Sequence, residues 1–235
     1  VATNEVEKVT LSNFETSTEL TTVDASLMNG LTTVGLSSSS ATGDSAFSGV
    51  KNLVGAEMRN GGADLTVTYS NSVVSGESDT QNLTVSNLSG GTFTANGAET
   101  IVIKSELAKS KLTNVTGTDN TAINITGDKG LTISSSLTQK TIDASASTGG
   151  VSLNIGTATS TVTGGSGDDV IQFKVISDLT KDDTIKGGAG TDTLKLAGTG
   201  VLDGESDTAG QELYGVSGFE IIDIDSKNNN AEVEL

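Results

Sequence analysis

Apolar and polar residues alternate one for one along much of the chain. "DLTVTY" (64–69), "NLTVSNL" (82–88), "AINITG" (122–127), "GLTISSSL" (130–137), "VSLNIG" (151–156) and "DTLKLAG" (192–198) all keep this rule. A period of two belongs to a strand with one buried face, and Thr and Val suit such a half-buried pleat. The stretches between these segments, "NGG", "SGG", "NG", "TGD" and "TGG", are turn sequences. Strands are therefore expected about every 9 to 12 residues. One segment departs from the pattern: "SELAKSKL" (105–112) predicts a short helix.

The segments also repeat. "TTVDASLMNGLTTVG" (21–35) and "KTIDASASTGGVSLNIG" (140–156) share a T-[VI]-D-A-S core followed by glycine and a strand. "VEKVTL" (6–11), "AETIVI" (98–103) and "FEIIDI" (219–224) share apolar positions around a glutamate in second place, and "GVKNLVG" (49–55) is a weaker relative. Units this short cannot bury an apolar face alone, so each must stack on its neighbours. The fold class expected is all-β, a parallel β-helix or β-solenoid. One or two antiparallel β-sandwiches would give the same strand spacing and stand as the alternative. Residues 98–235 carry the clearer repetition and residues 1–97 a looser version, which suggests two segments divided there.

Composition narrows the picture. The 235 residues include 29 Gly but no Pro, Cys, His or Trp, and aromatics make up 3%. Such a chain can fill only a thin core, with Val, Ile and Leu, and it keeps every backbone donor for pairing. Thirty acidic against thirteen basic residues give a formal charge of −17. That argues against nucleic acid and anionic membrane surfaces and makes cations the natural partner. Low hydrophobicity with high charge is also a composition of disorder, but the regular apolar spacing argues otherwise once the charge is neutralised. Without cysteine there is neither a disulfide framework nor a thiolate metal site. No apolar run approaches a membrane span. "VATNEVEKVT" lacks the regions of a signal peptide, so either the chain is a fragment or its export signal lies elsewhere.

The candidate chemistry lies in residues 161–198. Two nonapeptides there satisfy G-G-x-G-x-D-x-U-x, with U a large aliphatic residue. They are Gly164-Gly165-Ser166-Gly167-Asp168-Asp169-Val170-Ile171-Gln172 and Gly187-Gly188-Ala189-Gly190-Thr191-Asp192-Thr193-Leu194-Lys195. Glycines let carbonyl oxygens turn toward one point. The aspartate adds a charged oxygen, and calcium takes about six to eight oxygens at about 2.3–2.6 Å. Ile171 and Leu194 then start strands pointing into the core. "KDDTIK" (181–186) repeats the second half, with Asp183 in the aspartate place and Ile185 in the aliphatic one. If each coil uses two nonapeptides, Asp169 and Asp192 fall on one side in adjacent coils and share a calcium ion. Asp183 then faces the other side, with a weaker ion or none. The candidate ligand set is Asp169, Asp192 and Asp183, with Gly165, Gly167, Asp168, Gly188, Gly190 and Thr191 from the turns.

Other acidic positions have simpler readings. "NGGADL" (60–65) lacks the full spacing and reads as a turn. Asp24 and Asp143 in the D-A-S cores are expected to cap turns through nearby backbone, and Asp223 and Asp225 to line the solvated face of a strand. For catalysis the inventory is poor: no triad or ordinary zinc site is possible without His or Cys, and no phosphate-binding fingerprint is present. The chain reads as a non-enzyme.

The paired nonapeptides are the pattern of the calcium-binding repeat of RTX proteins. Together with the spacer "FKVISDLTKDDTIKGGAGTDTL", "TIDASASTGGVSLNIG" and "VSGFEIIDI" (216–224), they resemble RTX-type surface-layer proteins of Gram-negative bacteria and the related large RTX adhesins. The likeness covers roughly residues 98–224. It implies type I secretion, calcium-dependent folding outside the cell, and assembly into a cell-surface lattice. It also implies a secretion signal at the extreme C-terminus, of which "SKNNNAEVEL" (226–235) would be part if the chain reaches that far. The repeat run is short beside those of RTX toxins and proteases. Three roles stand: a surface-layer subunit, which the resemblance favours, an adhesin segment that binds a ligand, and the carrier domain of a secreted enzyme.

Overall fold

The structure, a computed structural model, describes residues 5–12, 20–41, 43–198 and 213–225. It is a parallel β-solenoid of about eight turns, all-β with almost no helix. The chain forms two compact units that divide between Asn124 and Ile125.

In the first unit the chain alternates between two sheets. One carries Lys8–Ser12, Thr33–Ser37, Gly55–Arg59, Thr80–Ser86 and Thr100–Ser105; the other carries Thr21–Asp24, Ser45–Val50, Leu65–Tyr69, Thr92–Asn96 and Asn114–Thr116. Pairing is parallel and in register, so like positions stack. Val34, Ala56, Leu83 and Ile103 form one such column, and all four are buried. Opposite them, Leu65, Phe93 and Val115 form another. The period of two does this: alternate side chains of each strand meet those of the facing sheet and shed water there.

The second unit repeats the plan. One sheet carries Thr141–Ser147, Thr161–Thr163, Thr184–Lys186 and Val216–Ser217, the other Leu131–Leu137, Val151–Ile155, Val170–Phe173, Thr193–Ala197 and Ile221–Asp225. Leu153, Ile171, Leu194 and Ile222 stand in one column, and Ile142, Val162 and Ile185 in another. Ile171 and Leu194, the aliphatic residues of the two nonapeptides, are fully buried. The insertion at "VISDLT" forms a single 3₁₀ turn, Ile176–Asp178, and its Ile176 and Leu179 are buried too. A lengthened coil thus brings its own core residues.

The helix expected over 105–112 does not form. Leu107 has φ +62°, which no right-handed helix contains, and Ser110–Leu112 is a strand. Helix propensity is worth only tenths of a kcal/mol per residue. Here it loses to pairing with the coil below: the N–H of Glu106 donates to the carbonyl of Val85 and that of Lys111 to Leu88. Among the described residues no helix is long and apolar enough to cross a membrane.

Candidate metal centre

Strand register fixes the site. Val170 pairs with Thr193 and Ile171 with Leu194, so Asp169 and Asp192, one residue before each strand, occupy the same corner of adjacent coils. Both side chains are fully buried. The Oδ1 of Asp192 accepts the N–H of Asp169 at 2.8 Å, and the Oδ1 of Asp169 accepts the N–H of Val151, one coil earlier, at 2.7 Å. A column of buried carboxylates results, each closing the coil before it.

The glycines make this approach possible. A Cβ added to Gly164 would lie 1.7 Å from the carbonyl oxygen of Gly187 and 2.6 Å from the Oδ2 of Asp169. In the second copy, Gly188 and Gly190 have φ of +112° and +128°, which side-chain-bearing residues avoid. Added Cβ atoms there would strike the carbonyls of Gly165 and Gly167, at 2.3 and 2.7 Å. The turns of both copies therefore stack backbone on backbone, with carbonyl oxygens packed beside carboxylates.

The two copies differ in one respect. Asp169 Oδ2 accepts the N–H of Gly165 at 2.6 Å. Asp192 Oδ2 is buried and has no hydrogen-bond partner among the described residues. A buried acceptor without a partner costs roughly 1–3 kcal/mol. Burial pushes both carboxyls above the usual carboxylate range. Backbone N–H bonds pull the other way, while the charges of Asp192 and Asp168 around Asp169, and of Glu220 and Asp168 around Asp192, add to the rise. Among the described residues no three acidic side chains converge on one point, so a cation here would draw most of its shell from carbonyl oxygens. An orphaned carboxylate oxygen among inward carbonyls fits a hard, oxygen-seeking ion.

The other predicted residues are placed as follows. Asp168 is exposed and its Oδ1 accepts the N–H of Thr191 at 2.9 Å, outside the buried column. Asp183 lies on the opposite sheet, before Thr184–Lys186. Its carboxylate accepts the N–H of Ser160 at 2.7 Å and both the N–H and the Oγ1–H of Thr180, at 2.7 and 2.9 Å. Those bonds occupy both oxygens. Asp24 and Asp143 each accept the N–H two residues on, at 2.9 Å, as turn caps do. In "NGGADL" the Oδ1 of Asp64 accepts the N–H of Thr92 at 2.6 Å, so that turn too is tied to the next coil.

Sequence reasoning missed Glu220. Its Oε2 accepts the N–H of Asp192 at 2.8 Å, the bond that Asp192 makes to Asp169. The signal was present in the glutamate shared by "AETIVI" and "FEIIDI": Glu99 likewise accepts the N–H of Asp79, at 2.6 Å.

A family model, the RTX calcium-binding nonapeptide repeat (4 copies), matches residues 156–172 and 175–197. The chain carries RTX calcium-binding repeats. The family binds calcium, the ion that the donor set of the RTX turns fits. No curated protein and no solved structure matches the chain.

Proposed function

We propose that this is a structural, non-catalytic segment of a secreted RTX protein of a bacterial surface layer, folded and assembled with calcium. The observation that carries the calcium reading is the in-register stack of the two RTX turns, with Asp169 and Asp192 buried in adjacent coils beside glycine carbonyls. Asp169 and Asp192 would hold the ion together with carbonyls of the glycine turns; Asp168 and Thr191 would brace the turns from outside, and Asp183 would bind weakly or not at all. When bound, calcium supplies positive charge that offsets the buried carboxylates and ties one coil to the next. RTX-repeat proteins are typically secreted by the type I route, which supports an extracellular place for this chain.

The lattice rests on the resemblance to surface-layer proteins, with one feature in support. Leu27 and Leu53 are 68% and 44% exposed on loops that are linked by a bond from Asn52 Nδ2 to the carbonyl of Asn29, 2.9 Å. These two leucines give neighbouring coils exposed apolar side chains that a second chain could cover.

The test is a calcium titration of chelator-treated protein, read by circular dichroism and light scattering. The expected result is compaction at calcium concentrations where magnesium does nothing, followed by growth to large particles. Compaction to a lasting monomer would remove the lattice and leave an adhesin module or an enzyme's carrier domain. No response to calcium would remove the whole reading.

A further inference from the structure

The RTX match ends at Ala197, but the coil geometry does not. Residues 215–223 run Gly215-Val216-Ser217-Gly218-Phe219-Glu220-Ile221-Ile222-Asp223. Register places Ile221 and Ile222 against Thr193 and Leu194, which sets Glu220 against Asp192, while Ser217 pairs with Lys186 and so sets Gly218 against Gly187. This coil has glutamate in the aspartate place, on a turn three residues shorter than that of the second copy.

Its backbone meets the coil below as the second copy meets the first. At Gly164, an added Cβ would meet the carbonyl oxygen of Gly187 at 1.7 Å and Asp169 Oδ2 at 2.6 Å. At Gly187, it would meet the carbonyl oxygen of Gly218 at 1.8 Å and Asp192 Oδ2 at 2.8 Å. Each point thus gathers a carboxylate oxygen of its own coil and a glycine carbonyl of the next. In both places the next coil's acid accepts the N–H of the lower aspartate at 2.8 Å. One difference separates them. Gly165 offers its N–H to Asp169 Oδ2, whereas Asp192 Oδ2, fully buried, receives none from the described residues. Two oxygens gathered at one point without a donor between them need positive charge there.

We propose that a second calcium ion binds between the second RTX coil and the coil that follows it, held by Asp192 Oδ2, the Gly218 carbonyl and Glu220. Asp192 then serves two ions, one on each side of its coil. The proposal rests on the calcium reading above and extends it beyond the recognised repeats. Glutamate can take the aspartate place because its added methylene still lets Oε2 reach the Asp192 N–H at the same 2.8 Å.

The test counts calcium bound per full chain by isothermal titration, in wild type, Glu220→Gln and Glu220→Asp. Glutamine keeps an oxygen for the Asp192 N–H and removes only the charge, so the coil is retained. Asp182→Asn, at an exposed carboxylate paired with Lys181, is the control. The expected result is that Glu220→Gln loses one ion, or weakens one site by about tenfold or more, because affinity follows the charge count of the site. Glu220→Asp and Asp182→Asn keep the wild-type count. A Glu220→Gln isotherm identical to wild type overturns the second site and leaves the first standing, as does equal loss in Glu220→Gln and Glu220→Asp. A wild-type chain that takes up no calcium overturns both.

Discussion

A glycine and an aspartate decide most of what happens at each corner of these coils. Gly187 cannot carry a side chain, because a Cβ there would overlap the Gly218 carbonyl at 1.8 Å. Gly187→Ala should therefore force the turn apart and cost about 1–3 kcal/mol or more, by the usual scale for overpacking. Gly55 begins a strand and offers the contrast: the nearest atom to its added Cβ is 3.8 Å away and its φ is ordinary. Gly55→Ala should be neutral or stabilise by up to about 1 kcal/mol, through the unfolded chain. Urea unfolding of both variants in calcium checks the pair of expectations.

Asp192 gives a sharper test, because its effect should change sign. Its folded pKa is raised above the ordinary 3.8, so the folded, calcium-free coil binds that proton better than the unfolded chain does. The stability it contributes is full below that ordinary value and is lost as pH rises through the raised one. Without calcium at pH 7, Asp192→Asn should thus be more stable than wild type by roughly 1–3 kcal/mol, the cost of a buried unpartnered acceptor. The gap should close as the pH falls toward 4. With calcium the order reverses, since the variant has lost a charged ligand. Urea midpoints at several pH values, with and without calcium, measure it; a variant less stable than wild type under all conditions would sink the account.

At the scale of the strand, the period-two pattern placed six of the described strands. "AINITG" is the strand Ala122–Gly127, and "VSLNIG" and "DTLKLAG" end within a residue of their observed limits. The pattern worked because each strand has one dry and one wet face, whichever strand it pairs with. It failed at Ser105–Leu112, where local composition favours a helix and only the neighbouring coil demands a strand. The aspartates of the nonapeptides could be read by counting, since two repeats make one coil. Glu220 could not, because its role depends on a register that residues 198–214 separate from the motif. Ile171 tests the column itself: it is fully buried between Leu153 and Leu194. Ile171→Ala should cost about 2–5 kcal/mol, read by urea unfolding in calcium.

For the whole molecule the dominant fact is the charge of −17. Repulsion on that scale opposes compaction, and calcium relieves it where the carboxylates are buried and salt cannot screen them. Removal of calcium should therefore raise amide exchange over residues 164–197, while the strands before Asn124, whose described turns close through backbone and side-chain bonds, keep their protection. Hydrogen exchange with and without chelator compares them directly. Adding about 0.5 M potassium chloride in place of calcium should restore little, because monovalent salt acts mainly on exposed charge. The division into surface-layer subunit, adhesin or carrier was not legible at all, since the coil chemistry is common to the three.

The carboxylates at this corner bond in one direction only. Asp169 closes the turn at Val151, Asp192 the turn at Asp169, and Glu220 the turn at Asp192. Synthesis delivers these residues in the opposite sense of need, so each coil emerges before the acid that completes it. The RTX stretch is consequently a structure that waits. It can be held open along its length and then set from the far end, like a zip whose slider is fitted last.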